Sequence, residues 1–437
     1  MEEPQSQAVH FQNFTGRRII ESIFTIKCQM CGMESEVHTN GNKDELNVNT
    51  SAVIGIVSIG AGYSQLKDFF SMLNIPNMTQ RRYNNIHTNL LEVVETVVSK
   101  QLKDAGEEEV AIAKGKGDVD DHGVALVSVV SDGAWSKRSY RTNYNAASGV
   151  GVIIGEATKK ILHIGVRNRY CRICTEHSTN RRTHKCFKNW SGPSTAMESD
   201  IILEGFQHSV GVHGLKYIKL IGDGDSSVTK KLNSVKPYGT CLIEKVECIN
   251  HLLRNFSNKL VELSKKVRST SGKFVPLQLR RKLSTSVLRF RVAIKKSAEY
   301  RNGQNVPYEQ KLLLFQKDLS NIQSHIFGDH QNCAQYFCNK VNGVDNIFAN
   351  VKECGLEADI NTCLQRIISN SSSCLLNKNN NSAEEFNSLV NKFIGDQFLF
   401  RGIPATTVPH CSNSVQLSRA LFKENCRKYG KEIRTLH

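Results

Sequence analysis

No run in this sequence approaches the roughly 20 consecutive apolar residues that a bilayer-crossing helix needs, so a membrane-spanning protein is not expected. The opening stretch MEEPQSQAVHF has neither the basic start nor the apolar run of a secretory signal, and an exported protein is not expected either. Acidic residues are in short supply: 41 Asp and Glu stand against 57 Lys and Arg, a formal charge of +16. That surplus favours a polyanionic partner, because each phosphate neutralised releases condensed counterions. Apolar residues make up only 39% of the chain, but they recur along its whole length, so a folded protein is expected rather than a disordered one. There is no internal repeat, and 437 residues exceed what one hydrophobic core usually organises, which points to two or three units.

Cysteine is not scarce. The 14 cysteines are spread through a chain with no export signal, so they read as thiols or metal ligands rather than as a disulfide framework.

Along the chain, residues 1–48 are polar and mixed and carry Cys28 and Cys31 in TIKCQMCG. Residues 49–115 have helical apolar spacing, as in LLEVVETVVSKQL, and read as a small helical unit. The glycine-bearing stretch GEEEVAIAKGKGDVDDHG looks like a connector. After it the period changes: VALVSVVSD, SGVGVIIGE and KKILHIGVRN are short β-rich runs joined by turn-like sequence, the pattern of an antiparallel meander. A Cys/His-rich insert (170–190), a helix in MESDIILEGFQHSVG, a buried strand in KYIKLIG and a fifth strand in EKVECINH follow. Residues 116–251 therefore read as the first part of an α/β core, a mixed sheet flanked by helices in ribonuclease-H-like order.

Residues 252–380 read as a helical insertion. Between 254 and 301 there are fourteen Lys or Arg and only two acids, Glu262 and Glu299, with apolar residues at helical spacing, so amphipathic helices with basic faces are expected. The polar tract ISNSSSCLLNKNNNS looks like a surface linker, and a helix over residues 381–400 follows it. The tail 401–437 has no usable pattern.

Chemistry is suggested first by the acids. Asp132 sits where VALVSVV stops and Asp223 where KYIKLIG stops, and acids at the ends of adjacent strands can converge on one point. Two nearby carboxylates repel unless a cation lies between them. Hard cations want oxygen ligands, and two Mg²⁺ ions about 3.5–4 Å apart can activate a water or a 3′-hydroxyl and stabilise the leaving oxygen in an in-line attack on phosphate. Glu384, which opens a helix with an apolar opposite face, is the candidate third carboxylate, and Glu385 is its rival. Any one of these acids alone would more often cap a turn or favour a helix dipole. Asp225, two residues past Asp223, is an alternative to it.

The segments SDGAWSKRSYRTNYNA around Asp132, LIGDGDSS around Asp223, CINH at Cys248–His251 and AEEFNSLVNKF around Glu384 together resemble the Mutator-like transposase domain of insect genomes, over residues 28–393. The resemblance implies cut-and-paste DNA transposition by an Asp-Asp-Glu ribonuclease-H-like domain, with Asp132, Asp223 and Glu384 as ligands to Mg²⁺ or Mn²⁺. It also implies double-stranded DNA (transposon ends and target) as partner, a homo-oligomeric assembly and a nuclear location. Two departures from the family pattern leave a second expectation, a domesticated or decayed DNA-binding copy that does not cut: the chain has IGDQFLFRG where a basic stretch is usual, and it has no evident N-terminal DNA-binding finger. An unrelated ribonuclease-H-like nuclease would share the acids but not the DGAWSKRSYRTNYNA block.

Thiolate and imidazole donors suit zinc. Cys171, Cys174, His184 and Cys186 supply CxxC and HxC, enough for one tetrahedral structural ion, with His177 as a substitute. Cys248 and His251 form a CxxH that either binds zinc or braces the sheet as a buried thiol and a hydrogen-bonded imidazole. Cys28 and Cys31 are a weaker pair, with His38 nearby. For phosphate contact the candidates are Arg280, Arg281, Lys282, Arg289 and Arg291 on the basic helices. Lys137, Arg138 and Arg141 just after Asp132 join them, with Trp135 and Tyr140 interleaved for stacking.

Overall fold

The computed structural model describes residues 11–18, 20–27, 31–38, 47–136, 146–171, 174, 186, 188–224, 226–338 and 346–394. The polar N-terminal segment is a three-stranded antiparallel sheet, β1 (Phe11–Arg18), β2 (Glu21–Lys27) and β3 (Glu34–His38), in which Lys27 pairs with Glu34 across the second hairpin. Phe24, Thr25 and Ile26 are strand-favouring types that the charged surroundings mask in a composition-level reading.

Helices α1 (Val48–Ser58), α2 (Tyr63–Met72) and α3 (Gln80–Lys116) follow, sharing a core of Val53, Val57, Leu66, Phe70, Met78 and Tyr83. Thr79 caps α3 by accepting from the Arg82 N–H, and Gly117, at φ 78°, ends it in the left-handed conformation that glycine adopts without strain. The connector expected after residue 105 is instead the second half of α3. Small residues at Ala105 and Ala113 pack into the core on one face of the sheet, Gly106 makes room for the His213 side chain, and the buried Glu109 accepts from the backbone N–H and hydroxyl of Thr158.

The central sheet comprises β4 (Ala125–Trp135), β5 (Ser148–Gly155), β6 (Ile161–Asn168), β7 (Leu215–Gly222) and β8 (Glu244–Glu247), in the order β6-β5-β4-β7-β8. The first three strands are antiparallel, as their short links require, whereas β7 runs parallel to β4, and β8 parallel to β7. Helix α4 (Met197–His213) makes the crossover from β6 to β7, and α5 (Ser226–Val235) the one from β7 to β8. One face of the sheet packs Val127, Val129, Ile153, Leu162 and Tyr217 against Ile202, Leu203 and Phe206 of α4. Gly165 makes that approach possible, since a Cβ there would come within 2.4 Å of Ile201.

The chain then leaves the sheet for α6 (Ile249–Lys265), α7 (Leu277–Asn302), α8 (Tyr308–Ile326), α9 (Phe348–Glu353), α10 (Leu356–Ser369) and α11 (Ser371–Leu376). These helices share a core of their own, built around residues such as Leu253, Phe290, Phe315, Leu319, Ile360 and Leu364. The expected surface linker at residues 368–382 is α11 and a tightly held turn: Cys374, Leu375 and Asn380 are buried, the Ser371 hydroxyl accepts from the Gln316 amide, and that of Ser373 accepts from the Glu247 N–H. The side chains of Ser371, Ser373 and Asn380 are spent inward on hydrogen bonds, which composition cannot distinguish from solvation. Helix α12 (Asn381–Ile394) returns to cover the second face of the sheet, packing Ala383, Phe386 and Val390 on Val130, Val152, Ile154 and Ile221.

Among the described residues no helix is long and apolar enough to cross a membrane.

Candidate active site

Strand alternation decides where the acids point. Val130 of β4 and Ile221 of β7 are paired neighbours on the face covered by α12. Asp132, two residues later on β4, and Asp223, two residues later and just past the end of β7, therefore lie on that same face, side by side at its edge.

Helix α12 brings the third acid. Ala383, Phe386 and Val390 turn towards the sheet, and Glu384 and Asn387, one helical turn apart, flank that apolar stripe. Glu384 is half-buried, whereas its rival Glu385 is exposed. Asp225 lies outside the described residues.

The contacts among these groups are specific. The Asn387 amide donates to Asp132 Oδ2 at 3.0 Å, and the Gly133 N–H donates to Asp132 Oδ1 at 2.9 Å. His251, from the first turn of α6, stands between the other two acids, with Nδ1 3.0 Å from Asp223 Oδ1 and Nε2 2.9 Å from Glu384 Oε1. A neutral imidazole carries one N–H, so donation to both carboxylates needs the protonated ring. The Asn380 amide donates to Asp223 Oδ1 at 3.3 Å, and its carbonyl accepts from the Cys248 thiol at 3.0 Å. The CxxH pair thus braces the acids: Cys248 through Asn380, His251 directly. Sequence reasoning missed Asn380 and Asn387; the one available signal was the three-residue step from Glu384 to Asn387 on the helix.

Burial, followed by the Asp223 and Glu384 charges, pushes the Asp132 carboxyl up to about 6, against the Gly133 and Asn387 hydrogen bonds that favour its ionised form. The Asp223 carboxyl is also raised, again chiefly by burial and further by Glu384, while His251 and Arg254 pull it down. Asp223 and Glu384 keep 41% and 40% of their side-chain surface exposed, so the cluster is open to a ligand from solvent. The carboxylates face one another but are not drawn to a single point: among the described residues the acids are not among the groups whose donor atoms lie within 4.8 Å of one another, because the His251 ring is wedged between two of them.

Basic side chains stand nearby. Arg254 lies one turn beyond His251 on α6, and Lys295 of α7 donates to Asn250, which itself donates to Asn381 at the start of α12. Further along α7, Arg281 and Arg289 are exposed and Arg280, Lys282 and Arg291 half-buried, and none of the five is paired with a carboxylate among the described residues. Lys137, Arg138, Tyr140 and Arg141 lie outside the described residues. The Trp135 indole donates to the Ser194 carbonyl at 3.0 Å and is thereby held within the fold.

Of the cysteine insert, Cys171, Cys174 and Cys186 bring their sulfurs within 4.8 Å of one another, with 3.6 Å between Cys174 and Cys186. His177 and His184 lie outside the described residues, as does Cys28; Cys31 is exposed before β3.

A model of the Mutator-like transposase family matches residues 5–338, a span that takes in Asp132, Asp223, Cys248 and His251 and ends before Glu384. No curated protein matches the chain.

Proposed function

Because the chain belongs to the Mutator-like transposase family, we propose that Asp132, Asp223 and Glu384 form its catalytic centre and that it cuts and joins DNA with the help of divalent metal ions. The observation that carries this reading is the side-by-side placement of Asp132 on β4 and Asp223 just past β7 beneath the α12 face that bears Glu384 and Asn387. The strand order, with three antiparallel strands followed by two parallel ones, supports a ribonuclease-H-like core.

The donor set fits Mg²⁺ or Mn²⁺. All three acids offer hard oxygens, two of them are raised by burial and by neighbouring carboxylates as expected of a site that needs positive charge, and the buried Asn387 Oδ1 has no hydrogen-bond partner among the described residues. Bound there, such ions would activate a water or 3′-hydroxyl and stabilise the leaving oxygen. The protein's own groups set the geometry. Asn387 and the Gly133 N–H orient Asp132; Asn380 orients Asp223; and the His251 ring, when protonated, offsets the repulsion between Asp223 and Glu384 and must turn aside for the acids to close on a shared cation. Arg254, Lys295 and the exposed cations of α7 would hold the DNA backbone by phosphate contacts that position without reading sequence. Cys171, Cys174 and Cys186, with His184, would hold a structural zinc beside the sheet. The substrates are transposon ends and target duplex, which implies a nuclear site of action and a homo-oligomer able to hold two ends together.

The test is cleavage of a duplex bearing the inverted repeats that flank the coding sequence. The wild type should nick it with Mg²⁺ or Mn²⁺, and Asp132→Asn, nearly isosteric but uncharged, should lose at least about 10³-fold in rate with DNA affinity retained. Cleavage that persists in the variant would place the chemistry elsewhere. Salt-sensitive DNA binding with no cleavage by either protein would replace this reading with a domesticated DNA-binding protein.

A further inference from the structure

The helical insertion contains a second cluster of soft donors, far in sequence from the cysteine insert. His325 is in the last turn of α8, and the chain beyond it, from Gly328 to Cys338, forms neither helix nor strand. Within that segment lie His330, Cys333 and Cys338. One donor atom from each of the four residues lies within 4.8 Å of the others. His325 Nδ1 is 3.1 Å from His330 Nδ1 and 3.4 Å from Cys333 Sγ, and His330 Nδ1 is 3.8 Å from Cys333 Sγ and 3.4 Å from Cys338 Sγ.

We infer that His325, His330, Cys333 and Cys338 hold a structural zinc ion. A tetrahedral ion with Zn–N of about 2.0–2.1 Å and Zn–S of about 2.3 Å separates its nitrogen ligands by roughly 3.4 Å and a nitrogen from a sulfur by roughly 3.6 Å. The three nitrogen–sulfur separations straddle their value, and the nitrogen–nitrogen separation, 3.1 Å, is slightly shorter than its own. Hydrogen bonding among the four residues does not account for the arrangement: two imidazole Nδ1 atoms facing each other can share one proton, and thiols are weak donors. Neither cysteine is in a disulfide. Two thiolates and two imidazoles select zinc over the hard cations expected at the acids, and four protein ligands close the coordination shell, which makes the ion structural rather than catalytic. An outer contact is also in place, the Asn321 amide directed at Cys333 Sγ from 3.5 Å.

The ion has a definite task in this fold. Between Cys333 and Cys338 the chain carries Tyr336 and Phe337. Phe337 packs edge-on against the His325 ring at 4.8 Å, and Tyr336 stacks on Tyr300 of α7 with ring centres 3.7 Å apart. The Tyr336 hydroxyl donates to Asp318 of α8, which also accepts both arms of Arg301 from the end of α7. Holding the loop by its ligands therefore fixes the crossing of α7 over α8, and with it the direction of the basic helix.

The experiment uses the full chain with Cys171, Cys174 and Cys186 all changed to Ser, so that the other thiol cluster cannot contribute. Metal analysis after dialysis should find about one zinc per chain, and replacement by Co²⁺ should give the sulfur-to-cobalt charge-transfer absorption of a tetrahedral thiolate site, which carboxylate-bound cobalt lacks. Adding Cys333→Ser and Cys338→Ser should remove that equivalent and its absorption. If the added changes prevent folding, chelation of the parent triple variant provides the second readout: loss of zinc should open residues 328–338 to proteolysis while residues 125–168 stay protected. A triple variant that folds without zinc, or one whose cobalt spectrum shows no thiolate band, overturns the assignment. Neither result bears on cleavage at the acids.

Discussion

The acid cluster on the sheet and the Cys/His cluster in the helical insertion are built on opposite plans. At the acids, every donor sits on or next to regular structure: Asp132 within β4 and Asp223 just past the end of the paired strand β7, Glu384 and Asn387 on one helix, His251 and Cys248 where α6 begins. Hydrophobic packing on both faces of the sheet holds them, so the scaffold stands without a cation and the carboxylates bear the strain of its absence. In the insertion, three of the four donors lie on a segment with no helix or strand, and the ligands themselves define the loop. An empty acid site therefore costs electrostatic energy within a sound scaffold, whereas an empty Cys/His site releases the loop that its ligands define.

The sharpest way to break this contrast is to neutralise one acid in metal-free protein. Burial and two neighbouring carboxylates hold the Asp132 carboxyl at about 6 in the folded state, above its unfolded value of 3.8. The folded state thus binds that proton more tightly than the unfolded chain does. The stability this provides is fully present below about pH 4 and is lost as pH rises through about 6. Asp132→Asn should consequently stabilise the metal-free protein at pH 7.5 by on the order of 2 kcal/mol, an effect that fades below pH 4. Thermal unfolding of both proteins in chelator across that range measures it. A variant less stable than wild type at pH 7.5 would mean that the carboxylate is not strained. Substitution of Cys333, by contrast, should destabilise the protein.

This difference in plan also explains how much was legible. The β-rich run VALVSVV and the buried-strand run KYIKLIG led straight to Asp132 and Asp223, although β4 continues three residues past Asp132 and only Asp223 follows a strand end, and the three β-rich runs joined by turn-like sequence gave the meander. Glu384 was legible because it opens an apolar-striped helix. The Cys/His cluster was not: H-x4-H-x2-C-x4-C lacks the CxxC spacing that draws attention, and His325 sits inside an amphipathic helical pattern that explains it adequately as a helix residue. The role of His251 was half legible, since CINH offers a ligand pair and a brace equally well and only the fold decides which groups the imidazole meets. Ser371, Ser373 and Asn380 misled for a related reason, because polar residues spent on buried hydrogen bonds look the same in composition as polar residues facing water.

A smaller effect should come from the packing that keeps the sheet scaffold independent of metal. Gly165→Val would put a branched side chain where a Cβ alone already comes within 2.4 Å of Ile201, so α4 must shift off β6. A loss of about 1–3 kcal/mol is expected, visible as a lower denaturant midpoint whether or not divalent metal is present. If added Mn²⁺ restored the lost stability, the sheet would depend on its cation after all and the contrast with the insertion would collapse.

The smallest effect concerns where DNA affinity resides. The acids repel phosphate unless metals are bound, while α7 presents Arg281 and Arg289 to solvent without carboxylate partners among the described residues, on the helix whose direction the Cys/His cluster fixes. If each arginine neutralises one phosphate, changing both to alanine should reduce the slope of log K against log salt by roughly 1.8, at about 0.9 per contact. The cleavage rate at saturating DNA should stay at the wild-type value, because neither residue is among the groups that contact the acids. Asp132→Asn should do the reverse, leaving the slope intact and removing the rate. Filter binding at four or more salt concentrations in chelator, paired with single-turnover cleavage in Mn²⁺, separates the two. An unchanged slope in the double arginine variant would move the DNA path off α7, and a changed slope in Asp132→Asn would put part of the affinity at the acids.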